Sequence, residues 1–287
     1  MISIQNENFK SYLAGLFEGD GSFIVPPVLK DSKNRLRYPK LKVAFHINDK
    51  PLALRLQACY GGHFENYKHH VVWNVTRKDQ ILLICSHING RLRTPKINDF
   101  IKLINFMKNK DSLIEFEVLP LDESPINSNA WLAGFSDANS NFFLSIVKRK
   151  NNKKRIQLQF RIEVKQFYGK CLIKNSENFS SFTPICNTIA EFLGLGIYHR
   201  TRNKKHHMIL IVSTSVQTNS KVVQYFNNFS LLSSKYLNYI DWKTVHEMQK
   251  KKLHLTTEGL KVCENIRSNF NTTRNKFSWD HLDNFYL

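Results

Sequence analysis

Acidic residues are scarce. Only 23 Asp and Glu stand against 42 Lys and Arg in 287 residues, leaving a formal charge of +19 and a pI near 9.7. That imbalance points to a polyanionic partner, most simply nucleic acid, over a merely basic or ribosome-associated protein. Cysteine is sparse and scattered, at Cys59, Cys85, Cys171, Cys186 and Cys263, with no C-x-x-C pair. Neither a zinc site nor a disulfide framework is indicated, so these are expected to be buried thiols in a reducing compartment. No apolar run reaches 18 residues, so no transmembrane helix and no membrane partner is expected. The opening MISIQNENFK has neither a secretory apolar core nor an Arg-rich transit pattern. The expectation is a chain that stays where it is made or has lost its leader. No P-loop, Rossmann fingerprint or G-x-S-x-G occurs, which leaves nucleotide-hydrolysing and serine-hydrolase classes unsupported. Disorder is not expected either, because 42% of residues are hydrophobic. Heavy use of Asn, Lys, Ile and Phe hints at an AT-rich coding sequence, as in an organelle genome.

What is present is an internal repeat. LAGLFEGDG (Leu13–Gly21) is answered by LAGFSDANS (Leu132–Ser140). Behind each comes a basic, turn-rich stretch, KDSKNRLRYPK (Lys30–Lys40) and KRKNNKKR (Lys148–Arg155). Each is followed by an alternating segment, LKVAFHIND (Leu41–Asp49) and IQLQFRIEV (Ile156–Val164). Strand, basic tip, strand predicts a hairpin in each half. PLALRLQACYGG (Pro51–Gly62) and PICNTIAEFLGLG (Pro184–Gly196) predict helices with Pro near the start and Gly past the end. Second hairpins follow at 63–75 and 197–212, then helices at 92–107 and 231–245, which align Lys96 with Lys235. Each half thus reads helix, hairpin, helix, hairpin, helix, an α+β pattern. The expected division is 1–118, a Pro- and Ser-bearing linker over 119–129, and 130–287. A duplicated unit suits a partner that is itself nearly two-fold symmetric, as duplex DNA is.

Residues four apart share a helix face. Gly15 and Gly19, and Gly134 and Ala138, are so spaced, and small residues there would let the two helices pack closely as the joint between halves. A single such helix would be read as one merely weakened by glycine. The joint sets Asp20 and Asn139 side by side at paired helix C-termini. An acid is poorly placed there for the helix dipole, and a bound hard cation explains it better. Metals at such a pair would stabilise the attacking and leaving oxygens of phosphodiester hydrolysis. Glu18 and Asp137 share the sixth position of the two copies. Two helical steps turn Asp137 roughly 200° away from Asn139, so it is expected to cap or salt-bridge locally.

With both nonamers in place, the chain resembles the two-repeat LAGLIDADG homing endonucleases, a family whose members often double as intron maturases, and most of all its fungal mitochondrial intron-encoded branch. YLAGLFEGDGSF, WLAGFSDANSNF, NGRLRTPK, EFLGLGIY, LLSSKYLNYIDW, HLTTEGL and FSWDHLDNFYL carry the resemblance almost end to end. It implies two αββαββα units about a pseudo-two-fold axis, each with a saddle-shaped sheet lying in the DNA major groove. It also implies a metal ligand at Asp20, supplementary carbonyl ligands at Gly19 and Ala138, and basic residues Lys96 and Lys235 near the scissile phosphates. Magnesium-dependent cutting of both strands at a long target, by a single chain in the mitochondrial matrix, is implied as well. The sequence departs from the pattern at Asn139, where Asp or Glu is usual, and at Ser140, where Gly is. An amide oxygen can ligate a cation but brings no charge. A maturase binding its host intron RNA, a nickase, an inert DNA-binding form and a deliberate Asp-to-Asn change therefore stay open beside the double-strand endonuclease.

The hairpins carry the candidate DNA contacts. Lys30, Lys33, Arg35, Arg37, Lys40 and Lys42 lie in the first half; Lys148, Arg149, Lys150, Lys153, Arg155 and Arg161 are their counterparts, with Arg200 and Arg202 on the second hairpin. Tip lysines suit phosphate, while His46, Gln157, Gln159, Arg161 and Lys165 suit base edges. A charge run is usually a solvated face, but two runs on equivalent hairpins favour contact. His69–His70 and His206–His207 lack ligand spacing and are not expected to bind metal. Trp73, Trp131 and Trp242 are expected in the core.

Overall fold

The computed structural model describes residues 5–149, 154–169, 181–203 and 206–283. Lys150, Lys153 and Cys171 lie outside the described residues. One order of elements occurs twice. The first unit runs α1 (Glu7–Asp20), β1 (Gly21–Ile24), β2 (Lys40–His46), α2 (Lys50–Tyr60), β3 (His63–Asn66), β4 (His70–Val75), α3 (Lys78–Ile88) and α4 (Ile97–Lys110). The second runs α5 (Trp131–Asn139), β5 (Ser140–Lys148), β6 (Lys154–Lys165), α6 (Thr183–Leu193), β7 (Tyr198–Arg202), β8 (His206–Ser213), α7 (Val216–Asn228) and α8 (Lys235–Lys250), then adds α9 (Thr257–Ser268). Each unit holds a four-stranded antiparallel sheet, ordered β1-β2-β4-β3 and β5-β6-β8-β7.

The α+β class and the αββαββα order are both present, with one more helix in the first unit and two more in the second than the residue pattern predicted. The helices expected at 92–107 and 231–245 are α4 and α8. The pattern passed over α3 and α7. In α3, ILLIC is apolar on every face, so no helical period shows; in α7 the apolar residues Val222, Val223, Tyr225 and Phe226 fall in its later turns. Local signals do mark other ends. Asn6 caps α1 by accepting from Asn8 and Phe9 N–H, and Pro51 and Pro184 open α2 and α6. Gly61 and Gly194 end those helices at φ 73° and 72°, where a side chain would be strained. The three tryptophans are buried as expected, as are Cys85, Cys186 and Cys263, whereas Cys59 is half-buried.

The first hairpins differ. β5 and β6 pair continuously from Ser140↔Ile162 to Lys148↔Lys154. β1 and β2 pair over four residues only, and 25–39 forms a separate turn in which the Asp31 carboxylate accepts from Lys33 and Arg35 N–H. Tyr38 packs against Lys110 at the end of α4, anchoring that connection.

The joint is α1 on α5. A Cβ on Gly15 would stand 2.0 Å from Trp131 O, and one on Gly134 would stand 1.9 Å from Tyr12 O. The helices thus meet backbone to backbone, as the small-residue spacing predicted. Two buried acids clasp them crosswise. Glu18 of α1 accepts from Trp131 Nε1 of α5 at 2.6 Å and from the Arg93 and Thr94 N–H groups. Asp137 of α5 accepts from Tyr12 Oη of α1 at 2.6 Å, from Leu232 and Ser233 N–H, and from Ser233 Oγ. Burial pushes both carboxyls upward in pKa, against the pull of these donors. Asp137 therefore does not cap or salt-bridge locally. It faces the interior of the joint, where backbone N–H groups distant in sequence are its available partners. Asp137→Ala strands four donors at once, so a loss of about 3 kcal/mol or more is expected in urea unfolding; a loss below about 1 kcal/mol would show the clasp to be incidental.

Candidate metal site and nucleic-acid interface

The C-termini of α1 and α5 end the joint together. A Cβ on Gly19 would lie 2.0 Å from Ala138 Cβ and 2.8 Å from Asn139 Nδ2, so residues 19–20 and 138–139 form one patch. Lys96, at the N-cap of α4, donates to Phe17 O, Gly19 O and Gly21 O at 3.2, 3.1 and 2.7 Å. Lys235, the first residue of α8, donates to Ser136 O, Asp137 O and Ala138 O at 3.2, 2.6 and 3.2 Å. Each ammonium thus sits on carbonyls at the negative end of a helix dipole. Burial lowers both lysine pKa values, Lys96 to about 8.

Asp20 is exposed and its carboxylate makes no hydrogen bond to a described residue. The surrounding protein still removes enough water to push its pKa up to about 6, with Lys235 and then Lys96 opposing the rise. Asn139 is half-buried and turns its amide back along its own helix, Nδ2 donating to Phe135 O at 3.4 Å. Each lysine is also braced by the other unit. Tyr168, beyond β6, has its ring 5.9 Å from Lys96 Nζ and its hydroxyl on Asp99 of α4 at 2.6 Å. Asp49, beyond β2, accepts from Ser234 N–H beside Lys235 at 2.7 Å. Sequence reasoning missed Tyr168 and Asp49, whose meaning depends wholly on contacts across the joint.

The donors at the joint suit a hard cation: the Asp20 carboxylate and the carbonyls of Gly19 and Ala138, each of which has a second lone pair beyond its lysine bond. No group of three or more His, Cys, Asp or Glu gathers among the described residues. One carboxylate and two carbonyls leave most of a hard divalent cation's coordination sphere to water and phosphate oxygens.

The sheets present one face each on the side away from their helices. In the first unit, pairing puts Ser22, Lys42, Asn74 and His63 in one row, Ala44, Val72 and Glu65 in the next, and His46 with His70 beyond. In the second, Gln157, Gln159, Arg161 and Lys165 share the outward face of β6 with Asn141 and Phe143 of β5 and with Met208, Leu210 and Val212 of β8. Lys40, Lys42 and His46 thus stand together, and Lys30, Lys33, Arg35 and Arg37 are exposed on the 25–39 connection. Lys148, Arg149 and Arg155 stand exposed at the β5–β6 end, and Arg200 and Arg202 line β7. The acids on these faces are matched: Glu65 lies 3.6 Å from Lys42, and Arg202 pairs with Glu163 at 2.5 Å.

Two basic saddles flanking an acid and two lysines at a helix joint define a two-unit nuclease-type scaffold. The LAGLIDADG endonuclease family model matches residues 13–107 and 132–246. The chain is 32% identical over 316 aligned positions to the intron-encoded DNA endonuclease aI3 of Saccharomyces cerevisiae, covering all of this chain and 75% of that protein. It is 31% identical over 268 positions to the cox1 intron-2 37.2 kDa protein of Schizosaccharomyces pombe, covering 89% and 70%. The LAGLIDADG homing endonuclease I-GzeII, solved with its DNA target, superposes with a TM-score of 0.69 at 20% identity, over 96% of this chain and all of that one. This chain belongs to the LAGLIDADG endonuclease family, with both of its repeats in a single polypeptide.

Proposed function

We propose that the protein is a site-specific, divalent-metal-dependent DNA endonuclease whose two units, 1–118 and 130–287, straddle one duplex target as a monomer. The observation that carries this is the joint: one exposed carboxylate, two helix-end lysines and two basic sheet faces converge on it. Magnesium, when bound, supplies Lewis-acid stabilisation of the phosphate oxygens. Asp20 holds it, with the carbonyls of Gly19 and Ala138. The sheets fix the duplex by phosphate and base-edge contacts. Lys96 and Lys235 place positive charge beside the phosphates where negative charge builds up in hydrolysis. Tyr168 and Asp49 hold the two lysine-bearing helix starts in position. The intron-encoded relatives support an organelle-intron gene and action in the mitochondrial matrix.

Asn139 makes the centre unequal. Its amide nitrogen faces its own helix and contributes no negative charge, so two-strand cutting is impaired and one strand is nicked faster. The test is a magnesium cleavage assay on strand-labelled DNA joining the sequences that flank the gene's own intron. The given chain is expected to leave mostly nicked product, whereas Asn139→Asp converts it to double-strand breaks at least tenfold faster, taking one lost metal-charge contact as about 1.4 kcal/mol or more. Equal rates for the two strands in the given chain would refute the impairment. Binding and cutting of no duplex would hand the lead to an RNA maturase.

A further inference from the structure

The two outward sheet faces are chemically unequal, and register makes them comparable position by position. Gly21 pairs with Val43 and Val43 with Trp73; Ser140 pairs with Ile162 and Ile162 with Ile211. By that alignment His70, Val72 and Asn74 of β4 correspond to Met208, Leu210 and Val212 of β8, and Ile24 corresponds to Phe143. Two of these pairs change character: the hydrogen-bonding His70 and Asn74 give way to Met208 and Val212, while Val72 and Ile24 have the bulkier apolar Leu210 and Phe143 as counterparts. These do not serve the core: Ile209 and Ile211, which alternate with them, are 1% exposed, whereas Met208, Leu210 and Val212 are half-buried on the opposite face. Nor does the setting suit an apolar protein partner, because Arg161, Lys165 and Arg200 flank the column and the acid Glu163 is already ion-paired. The guanidinium of Arg161 lies 4.6 Å over the Phe143 ring and donates to Gln159, so this face is held in order.

Resting on the endonuclease reading, we propose that Phe143, Met208, Leu210 and Val212 recognise the 5-methyl groups of thymines, making the half-site under the second unit thymine-rich. The thymine methyl is the apolar feature of the major-groove edge, and apolar side chains are its complement. From Met208 to Val212 the column is about 13 Å long at strand spacing, or about four base-pair steps at 3.4 Å each. Met208 lines the same cavity as Lys96 and Asn139, so the thymine run starts beside the cut. The first unit, with Lys42, His46 and His70 accessible on its face, reads by hydrogen bonds instead.

The test uses duplexes selected by the purified full chain from a random-sequence library in EDTA. The best duplex is remade with deoxyuridine for thymidine in one half-site at a time, which removes the methyl and keeps every hydrogen-bonding group. Each buried methyl accounts for a factor of roughly three in affinity, so the substitution in one half-site is expected to weaken binding about tenfold or more. In the other half-site it changes affinity less than about twofold. A Met208→His, Val212→Asn variant carries the first unit's residues at equivalent positions and is expected to lose most of the deoxyuridine penalty; its thermal melt is compared with the parent's, and the parent's own response stands without it. Equal affinity for both duplexes overturns the proposal while leaving the endonuclease reading intact. A full penalty retained by the folded variant overturns the assignment to β8. Failure to select any sequence overturns the endonuclease reading, and this proposal with it.

Discussion

Asp20→Asn is expected to bind the target duplex within about threefold of the parent and to cut neither strand. The substitution keeps shape and removes one negative charge, so its effect on a surface made of phosphate contacts is small. Its effect on chemistry is large because the other described carboxylates near the joint are already engaged, Asp49 by the Ser234 N–H. Glu18 and Asp137 are each fully engaged by donors inside the clasp, and Glu163 is paired with Arg202. Metal-based charge stabilisation amounts to several kcal/mol, so both nicking and double-strand cleavage should fall by about a thousandfold or more. Fluorescence anisotropy in EDTA and strand-labelled gels in magnesium separate the two properties. Residual cutting within tenfold of the parent would show that the metal is held elsewhere and would remove Asp20 from the centre.

Much of this was legible before the structure, and the reasons differ by element. The joint was legible because duplication set Gly15 and Gly19 beside Gly134 and Ala138, and a repeated spacing is hard to explain by local helix weakening. The lysine pair was legible through the same duplication, which aligned Lys96 with Lys235. Asp137 was misjudged because rotation about one helix says where a side chain does not point. It says nothing of the Tyr12 hydroxyl and the 232–233 backbone that await it. The reading face of β6 was visible in IQLQFRIEV, whose alternation assigns Gln157, Gln159 and Arg161 outward. The face of β8 was not: MILIV is apolar throughout, so period two cannot show which of Met208, Leu210 and Val212 face the partner. That apolar run conceals the difference between the two half-sites.

The joint itself yields the largest stability effect. Gly134→Ala places a methyl 1.9 Å from Tyr12 O and 2.8 Å from Leu16 N, against backbone that cannot swing aside as a side chain can. The helices must separate, and overpacking of this kind costs about 3 kcal/mol, lowering Tm by about 6–12 °C for a chain of this size. Gly15→Ala meets Trp131 O at 2.0 Å and should cost as much. The double variant should cost less than the sum, because the helix shift that admits one methyl also makes room for the other. Gly196→Ala, with nothing within 4 Å of its added Cβ, is the matched control and should be near neutral. Calorimetry reads all four proteins. Strict additivity, or a neutral Gly134→Ala, would mean that α1 and α5 are not rigidly apposed. The same shift moves Asp20 and Gly19 away from Ala138 and Asn139. Cleavage by Gly134→Ala should therefore fall at temperatures where the protein is still folded, while binding through the two sheets persists, which ties the close approach of the helices to the geometry of the cut.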